Sequence, residues 1–211
     1  MTSRGNAETP LLRLAGVRND GLEATALELE PRSMVFISGP SGSGKTRLLR
    51  VVADLDAHHG DIWLDGRHRG EFKGHQWRHR VGMLPTESRW WHKDAASHFA
   101  SLPGTEALKG LHLETAVLKR PIDQLSTGER QRLALLRLLA NAPRVLLLDE
   151  PTASLDADST GRVEDRVRAY VEESGAAVIW VSHDENQAKR LATQQFTMNA
   201  GRLTATGGRA K

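Results

Sequence analysis

Residues 34–46 read MVFISGPSGSGKT, a short apolar run broken by a glycine-rich loop of the pattern G-x-x-x-x-G-K-[ST]. An apolar run without alternation predicts a strand buried on both faces. The loop must then turn directly into Lys45–Leu55, where Leu48, Leu49, Val52 and Leu55 recur at helical spacing. In that strand–loop–helix setting, successive backbone N–H groups and a helix N-terminus point at an anion. Gly39, Gly42 and Gly44 let the backbone approach closely, with Pro40, Ser41 and Ser43 between them. Lys45 is placed to reach the β- and γ-phosphates, and Thr46 to offer an oxygen to Mg²⁺. The loop implies a bound nucleoside triphosphate.

The rest of the chain fits a parallel sheet. Val81–Leu84 reads as a short strand ending at Pro85, and Arg144–Leu148 (RVLLL) and Ala177–Val181 (AVIWV) as buried strands. Gly128–Ala140 and Ala157–Glu173 are amphipathic helices. Buried strands alternating with helices mean an α/β domain. Ahead of the loop, Leu11–Leu14 and Leu22–Leu29 read as edge strands of a meander, and Ile62–Leu64 as a strand entering the Asp65–Gly66 turn. Residues 87–124, interrupted by Trp90, Trp91, His92, Pro103 and Gly104, read as a small helical insertion. Residues 1–9 and the tail from about Thr204 are polar and expected to be loose.

One acidic and one capped segment add chemistry. In RVLLLDEP, Asp149 and Glu150 follow a buried strand, at the end where α/β sheets place ligands. Asp149 suits a Mg²⁺ contact, and Glu150 a general base or water-orienting group near the γ-phosphate. Read without the loop, the same residues are an acidic turn. In LSTGERQR, Ser126 and Glu129 form a capping box that starts a helix, whose N-terminus is itself an anion site. Alone, this is only a capped helix.

Taken in order, these segments resemble the nucleotide-binding domain of ATP-binding cassette (ABC) proteins: Walker A (Gly39–Thr46), signature (Leu125–Gln131), Walker B (Val145–Glu150), then SLDA (Ser154–Ala157) and VSHD (Val181–Asp184). The resemblance covers essentially residues 10–203. It implies a P-loop NTPase of RecA-like parallel-sheet core, with an antiparallel β subdomain in 10–86, a short helical subdomain in 87–124, and the signature, Walker B and switch histidine in 125–203. It implies ATP and Mg²⁺, with Glu150 and His183 at the γ-phosphate and Thr46 and Asp149 on the metal. It also implies a head-to-tail dimer, as a homodimer or with a related ABC chain, in which Ser126, Thr127, Gly128 and Glu129 meet the partner copy's nucleotide and Asp156 couples the two sites. The family's transport partner, a membrane permease, is then a separate chain.

Three positions depart from the family. VGMLPTES puts Thr86, with Glu87 next, where a glutamine is usual. Thr lacks the amide and is shorter, which shortens its reach to the metal. LLRLAGVRND has no aromatic to stack on adenine, leaving Val17 or Arg18 for that place. The span from Thr86 to Ser126 is short for an importer and leans toward an export-type or small housekeeping system.

Composition sets the remaining bounds. The chain has 211 residues, 39% hydrophobic and 26% charged, with no cysteine and a formal charge of +3. That excludes disulfides and a thiol nucleophile and matches an ordinary globular domain. No run is long and apolar enough to span a bilayer, and MTSRGNAETP lacks the apolar region of a signal peptide, so the expected location is cytoplasmic, peripheral at the membrane. Arg67, Arg69, Lys73, Arg78 and Arg80 surround Trp77. A solvated helix face explains this better than a nucleic-acid surface. The Trp90–Trp91 pair reads either as packing or as a partner contact. His58, His59, His68, His75 and His79 match no zinc spacing. The competing function is a soluble ABC-type ATPase acting on a non-membrane complex. A P-loop GTPase is disfavoured, because no N-K-x-D motif is present.

Overall fold

A computed structural model describes residues 9–208. The strands are β1 (Leu12–Asn19), β2 (Leu22–Leu29), β3 (Met34–Ser38), β4 (His59–Leu64), β5 (Arg67–His68), β6 (Val81–Leu84), β7 (Val145–Asp149), β8 (Ala177–Val181), β9 (Gln194–Asn199) and β10 (Arg202–Gly208). The helices are α1 (Lys45–Val52), α2 (Gly74–Arg80), α3 (Thr105–Gly110), α4 (Thr127–Leu139), α5 (Ala157–Ser174) and α6 (Glu185–Leu191). Six strands form one sheet in the order β10-β9-β3-β8-β7-β6, parallel except for the β9–β10 hairpin. The other four form an antiparallel sheet ordered β2-β1-β4-β5.

The parallel strands are apolar throughout because each feeds two cores. On β3, Met34 and Phe36 join one cluster, while Val35 and Ile37 join the other. On β7, Leu146 and Leu148 face the first, and Val145 and Leu147 the second. Side chains alternate faces along a strand, so a sheet covered on both sides leaves no polar position. The first cluster takes in α4, α5 and part of residues 87–124. The second takes in α1 and the antiparallel sheet.

The α/β reading with an antiparallel β subdomain therefore holds, and several local expectations are corrected. β1 is not an edge strand; it lies between β2 and β4. The segment 87–124 is mostly irregular, with α3 and three 3-10 turns in place of regular helices. The loose tail expected from Thr204 is instead strand through Gly208, held by backbone pairing to β9. The expectation for residues 1–8 and 209–211 lies outside the described residues. Trp77 is no stacking surface: it is fully buried and its Nε1 donates to the Val52 carbonyl at 2.9 Å. Arg69 and Arg78 are committed to Asp54, at 2.5 and 3.1 Å.

The two tryptophans divide between the two readings. Trp90 packs half-buried against the first core under Arg137, whose guanidinium lies 4.3 Å from its ring centre. Trp91 is 71% exposed. Between them His98 Nε2 accepts the Trp91 and His92 backbone N–H groups at 2.9 and 3.1 Å, while its Nδ1 lies 3.0 Å from the Asp94 carbonyl. Those partners assign the proton to Nδ1, and burial pushes His98 below the usual imidazole range. Among the described residues, no helix is long and apolar enough to cross a membrane.

Candidate nucleotide site

Four neighbouring strands, β3, β8, β7 and β6, end at one cleft of about 820 Å³. The loop after β3 folds with Gly39, Gly42 and Gly44 at φ of 139°, 77° and 110°. A side chain at Gly39 would run into the Met198 carbonyl, so here the pattern's first glycine is required by both torsion and space. Gly44 then opens α1, where Leu48 N–H donates to the Gly44 carbonyl at 2.9 Å. Lys45 is buried to 8% exposure, and its Nζ donates to the Gly39 and Pro40 carbonyls at 2.7 and 3.0 Å. The loop thus carries its cation folded back over itself, at the place where its N–H groups face outward.

Thr46, on the first turn of α1, donates its hydroxyl to Asp149 Oδ2 at 2.8 Å. Asp149 closes β7 and is 3% exposed. Glu150 follows at φ 50°, a left-handed conformation that costs a non-glycine residue about 1–3 kcal/mol. Its N–H donates to the Val181 carbonyl at 3.1 Å, which ties this turn to the end of β8. His183, just past β8, places Nε2 3.2 Å from Glu150 Oε1. The pair is close enough for an ionic contact when His183 is protonated, yet not aligned as a hydrogen bond, so Oε1 has no hydrogen-bond partner. Burial pushes the Glu150 carboxyl above the usual carboxylate range. His183 and Lys45 pull it back, and Asp149 pushes it further. A half-buried carboxylate whose Oε1 is buried and without a hydrogen-bond partner is equipped to take a proton.

Thr86, at the end of β6, lines the same cleft, as do Ser41, Gly42 and Gly44. It also borders a second cavity of about 240 Å³ that touches Thr127 and Gln131 on α4. The signature residues lie outside the cleft. Ser126 caps α4, its hydroxyl accepting the Glu129 N–H at 3.1 Å while Glu129 accepts the Ser126 N–H at 2.8 Å. Burial acts to raise the Glu129 carboxyl, but Ser126 and the Arg120 guanidinium at 2.8 Å hold it below the usual range. Thr127, exposed, and Gly128, half-buried, continue the same turn. Asp156 caps α5 through Ser159, at 2.8 Å to its N–H, and these bonds hold its carboxyl low.

Two expectations fail here. Val17 is fully buried in the core, and Arg18, on β1 opposite His59, is not among the residues lining the cleft. Its place is taken by residues that motif reading passed over: Gly21, Arg47, Arg50, Asp56, Ala200 and Gly201. Arg47 was legible from spacing, since it lies two residues after Lys45 on the polar side of an amphipathic helix. Among the described residues no group of three or more His, Cys, Asp and Glu is arranged to hold a metal.

Comparison with known proteins follows the same lines. The family model described as ABC transporter matches residues 22–153. A phosphate import ATP-binding protein of Aeropyrum pernix is 34% identical, the match covering 88% of this chain and 83% of that protein. A sulfate/thiosulfate import ATP-binding protein of Nephroselmis olivacea is 35% identical over 88% of this chain, which spans only 58% of that relative. In fold, the chain resembles a dimeric ATP-binding cassette in a post-hydrolysis state with ADP and Pi, at TM-score 0.75 and 24% identity, covering 93% of this chain and 99% of that one. It also resembles a bacterial Atm1-family ABC exporter with ATP bound, at TM-score 0.80 and 24% identity, covering 93% of this chain and 38% of the exporter. The motif order, the strand-end cleft and these matches agree: the chain belongs to the ABC transporter family.

Proposed function

We propose that this protein is the ATP-binding and ATP-hydrolysing subunit of an ABC transporter, working with a separate transmembrane permease. The observation that supports this best is the convergence of Lys45, Thr46, Asp149, Glu150 and His183 on one cleft at the strand ends. The loop from Gly39 to Thr46 receives the phosphates, with the backbone N–H groups and the Lys45 ammonium supplying positive charge. Thr46 and Asp149 present two hard oxygen atoms side by side, a donor set that fits Mg²⁺. These two would hold the ion, which when bound offsets phosphate charge. Glu150 accepts a proton from the water that attacks the γ-phosphate. The bond between the γ-phosphorus and the β–γ bridging oxygen breaks, and ADP and phosphate leave. His183 stands beside the same group and orients it. Thr86 borders the cleft with a hydroxyl only, and no metal role is assigned to it.

Ser126, Thr127, Gly128 and Glu129 form a helix N-terminus that does not line their own cleft, so a second copy or a related ABC chain presents them to the γ-phosphate. Such a head-to-tail dimer holds two nucleotides and opens after hydrolysis. The location that follows is peripheral, on the cytoplasmic face of the membrane. The relatives described above are import proteins, so import is the proposed direction, against the lean drawn from the short 87–124 segment. Affinity capture of the Glu150→Gln protein with ATP and magnesium, from gently solubilised membranes, tests the partner. The expected result is a multi-helix integral membrane protein in stoichiometric amount. Capture of a soluble complex alone would overturn the transporter reading.

A further inference from the structure

The end of the cleft lined by Gly21, Ala200 and Gly201 is built without an aromatic ring. β1 and β2 are joined by the two residues Asp20 and Gly21, with Asn19 paired to Leu22 and Gly21 at φ 81°. The β9–β10 turn packs against this one from behind. Gly201 N–H donates to the Ser43 carbonyl at 2.8 Å, and Glu23 N–H donates to the Gly201 carbonyl at 2.9 Å. A Cβ at Gly201 would stand 2.7 Å from the Gly21 carbonyl oxygen, and one at Gly44 would stand 3.3 Å from it. Three turns therefore meet backbone to backbone, and no ring fits between them.

One long side chain reaches over this floor. Arg47, exposed on the first turn of α1, lines the cleft and donates through Nη1 to the Asp20 carbonyl. Its guanidinium lies in the space that a side chain at Gly21 would occupy. Arg50 lines the cleft too, but Asp56 holds it at two points, 2.8 and 2.7 Å, and cancels its charge. We infer that Arg47, anchored on Asp20 and seated over Gly21, is the platform on which the nucleotide base stacks. This rests on the nucleotide reading of the cleft. A guanidinium is planar and stacks on aromatic faces as readily as it pairs with anions. Its anchoring bond orients the plane before the base arrives, which lowers the ordering cost of binding. A stacking platform reads the face of a base and not its edge, so adenine and guanine bind alike.

The test measures binding of ATP, GTP and inorganic tripolyphosphate, each with magnesium, to wild type, Arg47→Ala and Arg47→Lys. The expected result for Arg47→Ala is a loss of about 5- to 160-fold for both nucleotides, the range of one base–side-chain stack, with tripolyphosphate unchanged. Arg47→Lys keeps the charge and loses the plane, so it should behave like Arg47→Ala. Unchanged ATP affinity in Arg47→Ala, full rescue by lysine, or an equal loss for tripolyphosphate would each overturn the platform. Failure of the wild type to bind ATP or tripolyphosphate would instead overturn the nucleotide reading itself.

Discussion

Glu150→Gln is expected to lower ATP turnover by about 10²- to 10⁴-fold, the contribution of a positioned general base, while ATP still binds. The substitution leaves shape almost unchanged and removes the one group in the cleft whose buried oxygen lacks a hydrogen-bond partner. The phosphate-binding parts, Lys45 and the loop glycines, are untouched. Binding should therefore proceed to the closed state and stop there, so that the variant accumulates as an ATP-bound dimer. Phosphate release and solution mass with saturating ATP and magnesium read both effects. Turnover within a few-fold of wild type would remove Glu150 from the role of base.

The largest expected loss of stability belongs to Trp180→Ala, at about 3–5 kcal/mol, typical of deleting a large buried ring. Trp180 is fully buried on β8, between β3 and β7, and stacks on Phe36 with ring centres 5.4 Å apart and planes 12° from parallel. Its Nε1 has no hydrogen-bond partner. An unpaired buried N–H carries a desolvation cost of about 1–3 kcal/mol. Trp180→Phe removes that cost together with part of the ring, so it should destabilise by less than half as much as alanine. Urea unfolding of the two variants checks this. Equal losses would show that volume alone decides at this position.

How much of this could be read from residues follows from which force holds each part. β6 and β8 begin and end at the residues expected from the sequence because both are pure apolar runs buried on two faces. Asp149, Glu150 and His183 meet as motif order implied, since each follows a strand of one parallel sheet and parallel strands deliver their ends to the same side. β10 was not legible. Its TATGG stretch has no apolar pattern and is held by the ladder to Gln194–Thr197, which backbone atoms supply. α2 is a short basic segment marked only by Trp77, and its burial depends on the distant Val52 carbonyl. Val17 faces the core and Arg18 lies opposite His59 on β1, a strand whose ladder to β2 shifts register between Leu14 and Val17 and again before Asn19, which motif position does not record. A one-residue shift in strand register turns a side chain to the opposite face.

In the proposed dimer each nucleotide site is made from two chains: the cleft of one and the α4 N-terminus of the other. Mixing two variants with separate defects, Lys45→Ala in the cleft and Ser126→Asp in the signature, checks this. Aspartate caps a helix as well as serine does, so Ser126→Asp keeps α4 capped while setting a negative charge against the partner's γ-phosphate. Each variant alone should be inactive. Equal mixing makes half of all dimers mixed, each with one intact site, so turnover should recover to about a quarter of wild type if copies pair at random. A mixture no more active than its components, or full activity of Ser126→Asp alone, would contradict a site shared between chains.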